Sequence, residues 1–257
     1  MATIKEEVLL YGGKVNLTFY PTSHQYRVDG KRLPSVTAIT GQIDKSRALL
    51  GWSERLASEY LSKIELEGKQ ITRADWTHAI TLYKQKKDEG GDIGTEVHNW
   101  IDEWISLSPE ERTKKELPKD EIVLNGIIAF LNWVKQYDVK FIENERLIYS
   151  KKYKYVGKMD NVYTMGSEEH KIIHIGDFKT SNYVGCEAIL QTVGYAIAYN
   201  EEMKTDYEDL CIQHLNKKTG DFRLIEFKMT PSLKQGFIAL TKLKQAVAEA
   251  NKLLRKK

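Results

Sequence analysis

Cysteine is scarce in this chain: Cys186 and Cys211 are the only two in 257 residues. Two thiols cannot make a four-cysteine zinc or iron–sulfur site, and their separation matches no metal-ligand spacing, so no iron–sulfur cluster is expected. A disulfide framework is excluded on the same count, and a reducing compartment is the simplest reading. Long apolar runs are also missing. The most hydrophobic stretch, "IIAFLNWV", is too short and too interrupted to span a bilayer, so no membrane partner is expected. The start, "MATIKEEVLL", has no secretory apolar region or cleavage site, and the expectation is a soluble, cytoplasmic chain. Proline occurs five times and never in a cluster, which leaves no Pro-rich linker. Strong charge of one sign is absent too. The 39 basic against 36 acidic residues give +3, too mild to announce a nucleic-acid binder, although a local basic surface remains compatible with it.

What is present changes character along the chain. Residues 1–43 read as β-rich, with "VNLTFY" and "HQYRVDGKRL" able to pair and "DG" as a turn signal. From about Asp44 the pattern is helical, since Leu49, Trp52, Leu56, Tyr60 and Ile64 recur at three- and four-residue steps. "GGDIGTEVHNWIDEWISL" reads as a Gly-rich approach to a helix starting near Thr95, and "SPEERTKKELPKD" as a polar break. Residues 44–120 are therefore taken as a helical segment. Over 121–257 the order is a helix ("EIVLNGIIAFLNWVKQY"), three strands ("ERLIYS", "YVGKMDNVYTM", "KIIHIGDFK"), a helix, two strands and a basic helix. The last two of the three strands are expected to join through the polar turn "GSEEH". The fold class is α/β, a mixed central sheet flanked by helices, with an N-terminal β/helical extension.

Chemistry concentrates where a core strand ends in charge. In "IIHIGDFK", Asp177 and Lys179 lie two residues apart, so a strand presents both on one face. Asp160, in "VGKMDNVY", lies on the neighbouring strand. Two carboxylates brought together there would raise each other's pKa unless a cation lay between them. Mg²⁺, hard and oxygen-liganded, is the natural choice. Lys179 could orient or help deprotonate an attacking water, or stabilise charge on a phosphate.

These elements, "GKMD", then "DFKT", then "QTVGY", resemble the PD-(D/E)XK nuclease superfamily, and within it the RecB-type branch common among phage exonucleases and relatives of the mitochondrial single-strand DNA exonuclease. The resemblance implies a restriction-endonuclease-like core. It implies Asp160 and Asp177 as metal-binding acids and Lys179 as the catalytic lysine, with Gln191 and Tyr195 as the helical Q-x-x-x-Y pair beside the site. Their four-residue spacing puts that pair on one helical face. "GTEVHNWID" is similar to the branch's Gly-Thr-x-x-His helix, which implies His98 as a further ligand; the residue-level alternative is a histidine that caps or packs. Asp102 falls where the branch often has a glutamate. Glu145 matches an acid at the start of the first core strand, with Glu143 two residues away as the other candidate. His24, His78, His170, His174 and His214 lack comparable context and read as structural.

Two further features carry expectations. "YSKKYKYVGK" interleaves lysines with tyrosines, and Lys151, Lys152, Tyr153, Lys154 and Tyr155 are candidates for nucleic-acid contact through phosphate pairing and base stacking. The alternative is an exposed hairpin with solvated lysines. Trp52, Trp76, Trp100, Trp104 and Trp133 read as core, and the helical segment around them as a possible wall over the cleft. Together these imply a Mg²⁺- or Mn²⁺-dependent deoxyribonuclease, acting as an exonuclease on single-stranded or end-bearing DNA, in the host cytoplasm if phage-encoded. A site- or structure-specific endonuclease, or a catalytically silent nuclease-fold binding module, stays open as the alternative.

Overall fold

A computed structural model of the chain describes residues 5–166 and 171–255. Four strands come first: β1 Glu6–Leu10, β2 Val15–Tyr20, β3 Gln25–Val28 and β4 Lys31–Leu33, an antiparallel meander in chain order. β2 and β3 pair as their alternation predicts, and Asp29–Gly30, both with positive φ, turns β3 into β4. Helices follow: α1 Val36–Thr40, α2 Ser46–Leu66, α3 Arg73–Ser106, α4 Pro109–Arg112 and α5 Glu121–Gln136. Then come β5 Lys140–Ser150, β6 Tyr155–Met165, β7 Ile172–Lys179, α6 Cys186–Met203, β8 Asp209–Leu215, β9 Phe222–Lys228 and α7 Pro231–Arg255. None of the described helices is long and apolar enough to cross a membrane.

Strands β5 to β9 form one mixed sheet in chain order. Its pairs are antiparallel except β7–β8, which α6 connects as a parallel crossover. Each face carries its own core. On one side α6 and α1 pack over Ile148, Val162, Ile175 and Leu210, with Phe237 of α7 sealing the layer. On the other, α5 and the second half of α3 pack Ile127, Phe130 and Trp133 over Tyr163, Phe178 and Cys211. Asp120 starts α5 by accepting from Ile122 N at 2.9 Å and Val123 N at 3.0 Å, satisfying two of the helix's orphan donors. The N-terminal meander lays Leu17, Phe19, Tyr26 and Val28 against Leu147, Tyr149 and Val156 of the β5–β6 hairpin. Pro34 O accepts from Val156 N at 3.0 Å and fastens the two sheets at that point.

Three expectations need correction. The helix expected near Thr95 begins at Arg73 and runs unbroken through Gly90, Gly91 and Gly94. A capping box at its N-terminus sets the start: Thr72 N donates to Asp75 Oδ2 at 2.8 Å and Thr72 Oγ1 accepts from Asp75 N at 3.3 Å. At 34 residues it is about 51 Å long. The "polar break" contains the short α4, capped by Ser108 and Glu111. The tryptophans are mostly not core. Among them, Trp133 is fully buried, whereas Trp76 is 55 % exposed and the other three are half-buried. The reason is that α2 and the first half of α3 pair mainly with each other, through contacts such as Trp52–Tyr83 and Tyr60–His78. Residues 167–170, most of the "GSEEH" turn together with His170, lie outside the described residues.

Candidate active site

Strand register brings the acids together. The pairs Asn144–Asn161 and Arg146–Met159 flank Glu145 and Asp160, and Asn161 pairs with Gly176, next to Asp177. Three neighbouring strands therefore each deliver a carboxylate to one cross-strand row, midway along β5 and β6 and near the end of β7. Glu145 sits in the left-handed region at φ 49°, just past a register shift at Phe141/Glu143. A non-glycine residue there stores roughly 1–3 kcal/mol of strain, the kind of outlier that marks functional positions. The local consequence is a separation of two nearby acids. Glu143 turns to Arg146, at 2.6 Å, whereas Glu145 reaches Lys158 at 2.9 Å and faces the cleft.

α3 runs beside this row and contributes His98. One ring nitrogen of His98 and one carboxylate oxygen each from Glu145 and Asp160 lie within 4.8 Å of one another. His98 Nδ1 is 3.9 Å from Asp160 Oδ2, which also accepts from Phe178 N at 2.8 Å. Beside them, Lys179 pairs directly with the fully buried Asp177. Gln191 fixes the other oxygen of Asp177, at 3.3 Å, and donates to Tyr195 OH at 2.7 Å. Gly157 explains how Tyr195 fits so close to the sheet. A Cβ there would stand 3.0 Å from Tyr195 Cε1 and 3.2 Å from Val36 Cγ2.

The electrostatics follow from burying charges of one sign together. Burial is the largest cause for each acid. It pushes Asp177 up to about 6, with Lys179 opposing and Asp160 adding to the rise. It raises Asp160, against Lys179, and raises Glu145, where the Asp160 charge adds to the effect. Burial and the Lys179 charge hold His98 low, so its ring is neutral and able to donate a lone pair to a metal. Burial alone would lower Lys179, but Asp177 and Asp160 outweigh it and keep the ammonium charged.

A divalent cation fits this donor set. Two carboxylate oxygens and one imidazole nitrogen suit Mn²⁺, and the carboxylates suit Mg²⁺. A cation would also relieve the Asp160 repulsion that adds to burial in raising Glu145 and Asp177. Asp102 stands outside the trio. It accepts from Asn144 Nδ2 and lines the same cavity, of about 470 Å³, with His98, Lys158, Asp160 and Lys179.

The tyrosine–lysine stretch lies elsewhere. Residues 151–154 form the β5–β6 turn, and none of the five candidates lines the cavity. Lys152 and Lys154 are exposed, Lys151 lies 3.9 Å from the Tyr11 ring centroid, and Tyr153 is half-buried. Tyr155 is a correction. It is fully buried, its OH donates to Gly194 O at 2.7 Å and its ring meets Phe237 edge-on, so no base can stack on it. Residues that sequence reasoning passed over also line the cavity. Lys158 was legible, standing two before Asp160 on the same strand, by the alternation that pairs Asp177 with Lys179. His24 and Tyr26 carried no local signal, because only the packing of the N-terminal meander brings them there.

Comparison with models of known protein families returns no match, and none of the curated proteins matches the chain.

Proposed function

We propose that the chain is a Mg²⁺- or Mn²⁺-dependent deoxyribonuclease of the PD-(D/E)XK type, hydrolysing phosphodiester bonds as an exonuclease on single-stranded DNA or DNA ends. The observation that carries the reading is convergence: His98, Glu145 and Asp160 lie within 4.8 Å of one another and line one cavity with Lys179, which pairs with the buried Asp177 behind it. An isolated Asp-x-Lys on a strand end is common. Five such groups from α3, β5, β6 and β7, facing each other with raised carboxylate pKa values, are a much more demanding arrangement.

Each side chain has work that its geometry supports. Asp160, Glu145 and His98 would hold the ion, with Asp177 at its border. When bound, the ion supplies Lewis-acid stabilisation of charge on the phosphate. The Lys179 ammonium, held by Asp177 and open to the cleft, adds a positive charge where the crowded phosphorus centre becomes most anionic. Gln191 locks the Asp177 carboxylate, and Tyr195 receives the remaining Gln191 hydrogen bond and stays a neutral phenol because burial pushes its pKa up. Lys158, bonded to Glu145, holds that acid at the cavity edge.

The test is degradation of end-labelled linear single-stranded DNA and of closed circular DNA, with Mg²⁺ or with EDTA. The expectation is Mg²⁺-dependent loss of the linear strand, an intact circle, and a fall of about 10²–10³-fold or more in Lys179→Ala with its circular dichroism unchanged. Wild-type activity in both Lys179→Ala and Asp160→Ala would end the assignment.

A further inference from the structure

Aromatic rings in this chain are almost all covered. Of its 14 tyrosines, 7 phenylalanines and 5 tryptophans, only Trp76 and Tyr183 are exposed, at 55 % and 81 %. Trp76 lies in the first turn of α3, well before Gly91, the first residue of that helix on the cavity. Tyr183 is placed differently. It follows Lys179 by four residues, on the connection from β7 to α6. The two residues that open this connection, Thr180 and Ser181, line the cavity with Lys179. Tyr183 does not line it and stands just beyond them. A tyrosine is a large apolar surface with one polar tip, and packing has drawn the other thirteen at least partly inward.

The backbone that carries this ring is fastened on both sides. Thr180 is buried where α3 passes over it, so closely that a Cβ at Gly94 would stand 3.0 Å from its Oγ1. His214 Nε2 donates to Ser181 O at 2.6 Å, and Ser181 Oγ donates to Tyr183 O at 2.7 Å. On the far side Gly185 caps α6, and Glu187 in its first turn pairs with Lys45 at 2.5 Å. The side chain is not held in this way. Among the described residues, no hydrogen bond or ring contact engages the Tyr183 phenol. A ring positioned by its backbone and bare to water is a preorganised surface for a planar group. With the Lys179 ammonium four residues away, it makes the pairing that single-strand binding uses, a cation for the phosphate and a π-face for the base.

We infer that Tyr183 is a stacking platform for one unpaired nucleobase of the strand whose phosphate lies at Lys179. The inference rests on the nuclease reading above for its substrate and adds the subsite that holds a base. It also bears on strandedness, because a base inside a duplex is covered on both faces and must leave the stack before it can lie on the ring.

The test is fluorescence anisotropy in EDTA with two labelled strands, oligo(dT) and a strand of equal length built from stable abasic residues, which keeps the phosphates and lacks the bases. Tyr183→Ala is expected to weaken oligo(dT) binding about fivefold or more, the lower end of one lost stacking contact, and to leave the abasic strand at its wild-type affinity. Tyr183→Phe and Tyr183→Trp are expected to bind oligo(dT) as wild type does. Because the side chain is exposed, Tm of all three variants is expected within about 2 °C of wild type. Where strand binding needs the ion, KM with Mg²⁺ gives the same comparison. Unchanged oligo(dT) affinity in Tyr183→Ala overturns the platform. Equal losses on both strands also overturn it, as does a loss that Phe and Trp fail to restore, since the residue would then act through the loop and not through a base. Cutting is scored separately. A wild type that cuts while Tyr183→Ala binds like it removes the platform alone, whereas a wild type that neither cuts nor binds DNA removes the nuclease reading and the platform with it.

Discussion

Replacing Asp177 by asparagine should make the metal-free protein more stable while destroying its activity. Asp177 is fully buried, and its pKa is raised from 3.8 to about 6, with burial the largest cause. At roughly 1.36 kcal/mol per pH unit, ionising this carboxyl in the fold costs about 3 kcal/mol relative to the unfolded chain. The sign is fixed by proton counting. Between pH 3.8 and about 6 the folded protein holds the proton more tightly than the unfolded one, so stability falls as pH rises through that window and stays reduced above it. Asparagine copies the neutral acid and removes the penalty. Because Asp160 and Glu145 share the same crowded charge, about 3 kcal/mol is an upper bound. In a chain of this length it corresponds to at most about 6–12 °C in Tm. The assay is thermal unfolding in EDTA from pH 5 to pH 8. Asp177→Asn should melt above wild type at pH 8 and show a flatter pH profile. Mg²⁺ at a hundred times its Kd should add about 2.7 kcal/mol to the wild type. An Asp177→Asn protein that melts at or below wild type at pH 8, with the same pH slope, would refute the electrostatic reasoning.

Other expectations test the packing around the site. Gly157→Ala sets a methyl 3.0 Å from Tyr195 and 3.2 Å from Val36, and urea unfolding should register a loss of about 1–3 kcal/mol together with reduced nuclease activity. Tyr155→Phe removes a buried hydrogen bond to Gly194 and should lower stability by about 1 kcal/mol. Its single-strand affinity, measured by fluorescence anisotropy, should equal wild type; a large loss would mean the ring touches DNA after all.

How much of this was legible in the sequence depends on the length scale of each signal. Asp177 and Lys179 were legible because strand alternation is strict over two residues, and the two side chains do meet. Gln191 and Tyr195 were singled out by the family resemblance, with which their four-residue helical spacing agrees, and they hydrogen-bond. The choice between Glu143 and Glu145 was not, since a register shift and a left-handed residue break the alternation that would have put both on one face. α3 was misjudged because glycines that signal a helix start by propensity are here tolerated inside a helix anchored on α2 at one half and α5 at the other. Tyr155 was misjudged because a tyrosine–lysine alternation does not reveal which face α6 and α7 will cover. The cavity wall from the N-terminal meander depends on contacts more than a hundred residues apart, such as Pro34 with Val156, which no local pattern encodes.

The central claim is that three side chains from α3, β5 and β6 form a cation site. A crystal structure with Mn²⁺, read by its anomalous signal, tests it most directly. The account expects a peak bonded to His98, Glu145 and Asp160 in the wild type and its loss in Asp160→Asn. An anomalous map empty at that position, at a Mn²⁺ concentration that supports DNA cleavage, would contradict it.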